Sequence, residues 1–146
     1  MTMLDEVTET SAHTPHLAGE ETLGPLASRY VDVAALPWKP TPCKGISMKI
    51  LLKDEKTGLM TALFKWEPGA RLSLHEHVEI EQSYVLEGSL CDGEGEATAG
   101  NFVWRPKHSR HDAYSPKGAL LLAMFLRPNI FLEDHAGQNL AGKNLE

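Results

Sequence analysis

The stretch G-A-R-L-S-L-H-E-H-V-E-I-E-Q-S-Y-V-L-E-G runs from Gly69 to Gly88. It sets two histidines one residue apart, His75 and His77, and follows them with Glu81, all between two glycines. Residues i and i+2 of a strand share a face, so a strand here would aim both imidazoles at one point. A second segment, Gly100 to His111, can supply a further imidazole. These residues together predict a small β-barrel built around a metal.

The rest of the chain is textured to match. Ile46–Lys53 and Leu59–Trp66 read as two strands about a D-E-K-T-G loop. Arg71–His77 and Gln82–Leu86 follow, then a hairpin of Ser89–Asp92 and Glu96–Ala99. Phe102–Arg105, His111–Tyr114 and Ala119–Leu126 complete the series. Short strands separated by turn residues every 8 to 12 positions or so indicate an all-β sandwich or barrel. Residues 1–27, rich in Thr, Glu, Gly and Pro, read as an arm that is mobile or packed on a partner subunit. Arg29–Leu36 reads as a short strand, and Pro37, Pro40 and Pro42 hold Trp38 in an extended connection. The main domain spans 28–130, and residues 131–146 form a polar tail with a frayed or short helical end.

Composition removes several function classes. A net charge of -6 with scattered basic residues argues against a nucleic-acid partner. The longest apolar run, Ala119 to Leu126, is too short to span a bilayer, and the acidic start M-T-M-L-D-E-V-T-E-T is unlike a signal peptide. Cys43 and Cys91 make neither a disulfide framework nor a C-x-x-C knuckle. A cytoplasmic protein is the expectation.

The candidate ligands are His75, His77, His111 and a carboxylate. Mixed nitrogen and oxygen ligation suits Fe(II), Mn(II), Ni(II) or Zn(II). Spacing alone leaves two carboxylates open: Glu81, and Glu79, which has the strand parity of the histidines.

Gly69, His75, His77, Glu81 and Gly88 fit the first motif of the cupins, G-x5-H-x-H-x3-4-E-x6-G, at every fixed position. Gly100, Pro106 and His111 fit the second, G-x5-P-x-G-x2-H-x3-N. His108 stands where that motif has Gly and Ser115 where it has Asn; neither position carries a ligand in the family. His108 is therefore read as a loop residue rather than a fifth ligand. The resemblance implies a double-stranded β-helix, or jelly-roll barrel, with His75, His77, Glu81 and His111 as metal ligands. It also selects Glu81 over Glu79.

A narrower resemblance, over residues 30–127, is to the ChrR-like cupins. It rests on G-I-S-M-K-I-L-L-K-D-E-K-T-G, T-A-L-F-K-W-E-P-G-A, A-G-N-F-V-W-R-P and the S-P-K-G that follows His111. That group includes the cupin half of a zinc-binding anti-sigma factor, and is similar to small dioxygenases that cleave β-diketones or hydroxyacetophenones. Only about 27 residues precede the cupin region here, with no H-x3-C-x2-C, so sigma binding is not expected. The resemblance implies a mononuclear dioxygenase with Fe(II) as its leading cofactor and Zn, Ni or Mn as alternatives. Its partners would be dioxygen, a small carbonyl substrate and a second copy in a homodimer, with the Tyr84 and Leu86 side as one candidate interface. Two other readings are a non-catalytic Zn and small-ligand sensor, and a metal-dependent isomerase or decarboxylase. Strand alternation further nominates Arg71, on the face of His75, to orient an enolate, with a surface ion pair as its other reading. Phe102 and Trp104 are nominated as an aromatic pocket wall.

Overall fold

The computed structural model describes residues 10–140. Its frame is a hairpin of β3 (Ile46–Asp54) and β4 (Met60–Trp66), paired from Ile46↔Trp66 to Lys53↔Met60. Alternation buries Met60, Ala62, Phe64 and Trp66 on one face of β4, where they pack with Ile46, Met48 and Ile50. The remaining strands are β1 (Ala12–His13), β2 (Lys39–Pro40), β5 (Arg71–Glu76), β6 (Glu81–Cys91), β7 (Glu96–Thr98) and β8 (Phe102–Arg105). They are followed by β9 (Arg110–Tyr114), β10 (Ala119–Phe125) and β11 (Ile130–Phe131). They form one curled sheet in the order β1-β3-β4-β10-β6-β9-β5-β11, every named pairing antiparallel. This is the expected double-stranded β-helix.

The long strand β6 joins the two layers. Its first half pairs with β10 and β8, and its second half with β7 and, at Cys91, with β9. The corner lies at Gly88, beside a register shift between Leu120 and Leu121 on β10. There the chains approach so closely that a Cβ on Gly88 would meet the Gly118 carbonyl oxygen at 1.9 Å, and Gly88 has φ 72°. The glycine that closes the first motif is thus a packing requirement as well as a turn residue.

The N-terminal segment is docked on its own chain. Of the expected arm, residues 1–9 lie outside the described part. From there β1 pairs with Asp54 and Lys53, while β2 pairs with Met48 and Ser47, so the segment runs along the β3 edge. Thr14 Oγ1 donates to the Leu51 carbonyl at 2.6 Å. Lys49 Nζ donates to the Val33 carbonyl at 2.8 Å and lies 4.8 Å from the centre of the Trp38 ring. The expected strand at 29–36 is instead a 3-10 turn at Val33–Ala35, whose N–H groups find local partners: Ala35 to Asp32 O, Leu36 to Val33 O.

The tail differs from expectation in the same sense. β11 adds to β5 through Ile130↔Glu76 and Phe131↔His75, and residues 132–140 return in turns that bury Leu140. Residues 131–140 contain no helix; residues 141–146 lie outside the described part. The polar composition of the tail hides two anchors, Phe131 and Leu140, 1% and 2% exposed.

Gly88→Ala is expected to destabilise by more than about 3 kcal/mol, because a backbone carbonyl must move and a positive φ is strained. Gly69→Ala, at φ 84° with open space around its Cβ, should cost only about 1–2 kcal/mol. Urea unfolding of both variants measures the difference.

Candidate metal centre

The sheet register brings the histidines together. His75 on β5 is directly opposite His111 on β9, and His77 lies just beyond the end of β5. Between Leu72↔Ala113 and His75↔His111, β5 spends one residue more than β9, a β-bulge. The extra residue resets parity, so Leu72 and His75, three apart, both face inward. The three ring centroids lie 4.6 to 4.9 Å apart. One ligand atom from each histidine falls within 4.8 Å of the others.

Hydrogen bonds set all three tautomers. His75 Nδ1 donates to the Ser73 carbonyl at 2.8 Å, and His77 Nδ1 to the Ser109 carbonyl at 3.0 Å. His111 Nδ1 faces Asp92 Oδ2 at 3.1 Å. A nitrogen that gives its proton to an oxygen leaves the other ring nitrogen with a free lone pair. Each Nε2 is therefore available as a ligand. Two of them, on His75 and His77, are sealed from solvent; His75 Nε2 has no hydrogen bond, and His77 Nε2 faces only the Glu81 carboxylate. Leaving a buried polar atom unpaired costs about 1–3 kcal/mol, and a shared cation would satisfy both nitrogens. The donor set fits a divalent transition metal.

Burial disfavours the charged form at His75 and His111, and a metal needs neutral imidazoles. Burial lowers the pKa of His75 to about 4, against the opposing pull of Glu81. His111 is lowered too, by burial first and then by the nearby Arg105 charge.

The carboxylate alternatives separate by position. Glu79 is turned outward and pairs with Lys107 at 2.9 Å. Glu81, at the start of β6, brings Oε2 to 2.8 Å from His77 Nε2 and accepts a 3.3 Å bond from Asn129 Nδ2. Burial would raise its pKa, but His77 and His75 when protonated, together with Asn129, hold it at about 2. Glu81 is thus an ionised, inward carboxylate touching one member of the triad.

Two residues that sequence reading passed over complete the surroundings. Asp92 follows β6, and its Oδ1 accepts the N–H groups of Glu94 and Gly95 at 2.7 and 3.0 Å. Its Oδ2 meets both His111 and Arg105. Burial pushes the Asp92 carboxyl up, yet those N–H groups, the Arg105 charge and His111 bring it to about 2. D-G-E-G reads as a hairpin turn, and nothing in that motif signals that its first residue also orients a ligand. Arg105 lines the inner cavity with His75, Glu81 and His111.

The nominated pocket residues lie elsewhere. Arg71 is exposed and pairs with Asp112 at 3.0 Å, the surface alternative raised for it. The bulge breaks the parity that linked Arg71 to His75. Phe102 and Trp104 are 47% and 57% exposed, on the outside of the barrel. On β8 it is Val103 that packs against the core and Arg105 that faces the cavity. His108 is exposed in a turn with φ 72°, which explains the glycine preferred there in the cupin motif. Ser115 is fully buried and donates to the Ser89 carbonyl at 2.6 Å, tying the two hairpins rather than reaching the triad.

His77→Ala and His111→Ala are each expected to lose stoichiometric metal in elemental analysis. Asp92→Asn should retain the fold while weakening metal affinity about 10–100-fold in chelator competition. The metal-free chain should lose stability in acid. The unfolded His75 takes up a proton below about 6.5, whereas the folded one resists until about 4. Urea midpoints should therefore fall as pH drops through that window.

Residues 26–129 match the family described as the ChrR cupin-like domain. Among solved structures, a candidate acetylacetone dioxygenase from Methylibium petroleiphilum superposes with a TM-score of 0.70 at 22% identity. It covers 85% of this chain and 90% of its own. The acetylacetone dioxygenase of Acinetobacter johnsonii gives 0.68 at 22% identity, over 82% and 84% of the two chains. The anti-sigma protein ChrR of Rhodobacter sphaeroides, in complex with SigE, gives 0.55 at 20% identity over 64% of this chain and 50% of its own. No curated protein matches the sequence. With its two histidine motifs assembled on a jelly-roll barrel and 104 consecutive residues matched, the chain belongs to the ChrR cupin-like family.

Proposed function

We propose that the protein is a mononuclear non-haem dioxygenase that cleaves a carbon–carbon bond in a small β-diketone or hydroxyketone. The observation that carries this reading is the convergence of three imidazoles, one ligand atom of each within 4.8 Å of the others, on a largely apolar cavity. Fe(II) is the leading cofactor, with Zn, Ni or Mn as possible occupants on isolation. His75, His77 and His111 would hold it, with Glu81 as fourth ligand. The bound metal would act as Lewis acid and template, stabilising an enolate and holding it for reaction with dioxygen.

The chain's own residues do the rest. Ser73, Ser109 and Asp92 fix the three ring orientations. Phe64, Leu72, Leu121 and Phe125 line the cavity and exclude water, which strengthens electrostatic interactions within it. Asn129 holds Glu81 Oε2, so the carboxylate keeps a partner if it leaves the metal during turnover.

A sensor reading also has one observation in its favour. The space beside the ligands measures about 20 Å³, room for roughly a water molecule. Oxygen uptake with a panel of diketones and hydroxyketones, after anaerobic Fe(II) loading, separates the readings. Uptake stoichiometric with cleavage is expected. A silent panel from a chain isolated with a full equivalent of zinc would leave the sensor.

The outer sheet face supports a homodimer as part of this proposal. Across β8, β6 and β10 the register aligns Phe102–Tyr84–Leu122 and Trp104–Gln82–Met124. Tyr84, Leu86, Phe102, Trp104 and Met124 are all exposed. Exposed apolar faces of this kind mark interaction sites. Sedimentation should give a dimer, converted to monomer by Tyr84→Glu combined with Phe102→Glu.

A further inference from the structure

We infer that the substrate is held in a vestibule outside the metal cavity, and that Leu140 is the side chain it must displace to reach the histidines. This rests on the reaction proposed above. The inner cavity, at about 20 Å³, cannot contain a diketone. A second hollow of about 430 Å³ lies against it, within the range of small-molecule sites. Ile50, Met60, Val78, Pro128 and Ile130 give it largely apolar walls. Leu140 lines both spaces and is 2% exposed, so it stands where substrate-sized room and the ligand cavity meet.

The vestibule also has a chemical character. Lys53 and Arg127 stand among its lining residues with Asp54 and Glu55, so its charges balance; Lys53 pairs with Glu55 at 2.9 Å and Arg127 is exposed. The hollow suits a small uncharged molecule with an apolar body and a carbonyl end. The body rests on the vestibule wall while the oxygen-bearing end takes the space that Leu140 vacates.

One other way in competes. A third hollow, of about 310 Å³, shares Leu90 and Arg105 with the inner cavity. Passage there must part the Arg105–Asp92 ion pair, and Asp92 also supports His111. Opening that side would disturb a metal ligand, whereas moving Leu140 breaks only apolar packing. The Leu140 side is therefore the one assigned.

The test uses the full chain loaded with Co(II), with cobalt loss to excess pyridine-2,6-dicarboxylate followed by visible absorbance. It needs no turnover, so its outcome is independent of whether diketones are cleaved. Leu140→Ala should speed cobalt loss at least tenfold, and Leu140→Trp should slow it. Arg127→Cys carrying a bulky maleimide should slow loss several-fold, while unlabelled Arg127→Cys matches the parent. The same label on Asn101→Cys, in the lining of that third hollow, should have no effect. Should Leu140→Ala fail to fold, the two labelled variants decide the matter. Slowing from the Asn101 label but not the Arg127 label, or rates unchanged in both Leu140 variants, would overturn the inference.

Discussion

Two imidazole nitrogens, His75 Nε2 and His77 Nε2, are shut away from water, the first without a hydrogen bond and the second with only the Glu81 carboxylate beside it. A fold designed only for stability would fill these positions with aliphatic side chains, because unpaired buried polar atoms oppose folding. Here the cost is imposed by several backbone features acting together. The β5 bulge turns His75 inward, the β9 register sets His111 opposite, and the Ser73 and Ser109 carbonyls take the Nδ1 protons. The barrel is arranged to keep three lone pairs directed at one another. A metal then supplies in one step the partners that the protein withholds, linking its binding to the stability of the whole chain.

Much of this could be read from residues alone. The H-x-H pair, the turn glycines and the alternating runs of 46–66 each carry a local physical requirement, and these requirements agree with one another. The β3–β4 hairpin accordingly came out where alternation placed it. Arg71 shows where the method stops. Alternation assumes an unbroken pleat, and a single inserted residue between Leu72 and His75 reverses the facing of everything before it.

β8 shows a second limit. F-V-W-R has its large aromatic residues outside and its arginine inside, the reverse of the usual pattern for a half-buried strand. An apolar stripe identifies a face that avoids water, yet it does not say whether a core or another subunit covers it. Asp92 and Asn129 were illegible for a different reason. They reach His111 and Glu81 across 19 and 48 residues of chain, distances over which no sequence pattern constrains a side-chain hydrogen bond.

The place of β10 carries a consequence for how the chain folds. It is flanked by β4 and β6, yet it is the last long strand to be made. Until residues 119–125 leave the ribosome, the β3–β4 hairpin and β6 have no common neighbour, and each presents an open edge. Such non-local pairing folds slowly and leaves strands exposed meanwhile. The N-terminal segment, available from the outset, can cover the outer edge of β3 during that wait. The same few residues that look like an ornament on the finished barrel would then guard the half-built one against joining its neighbours.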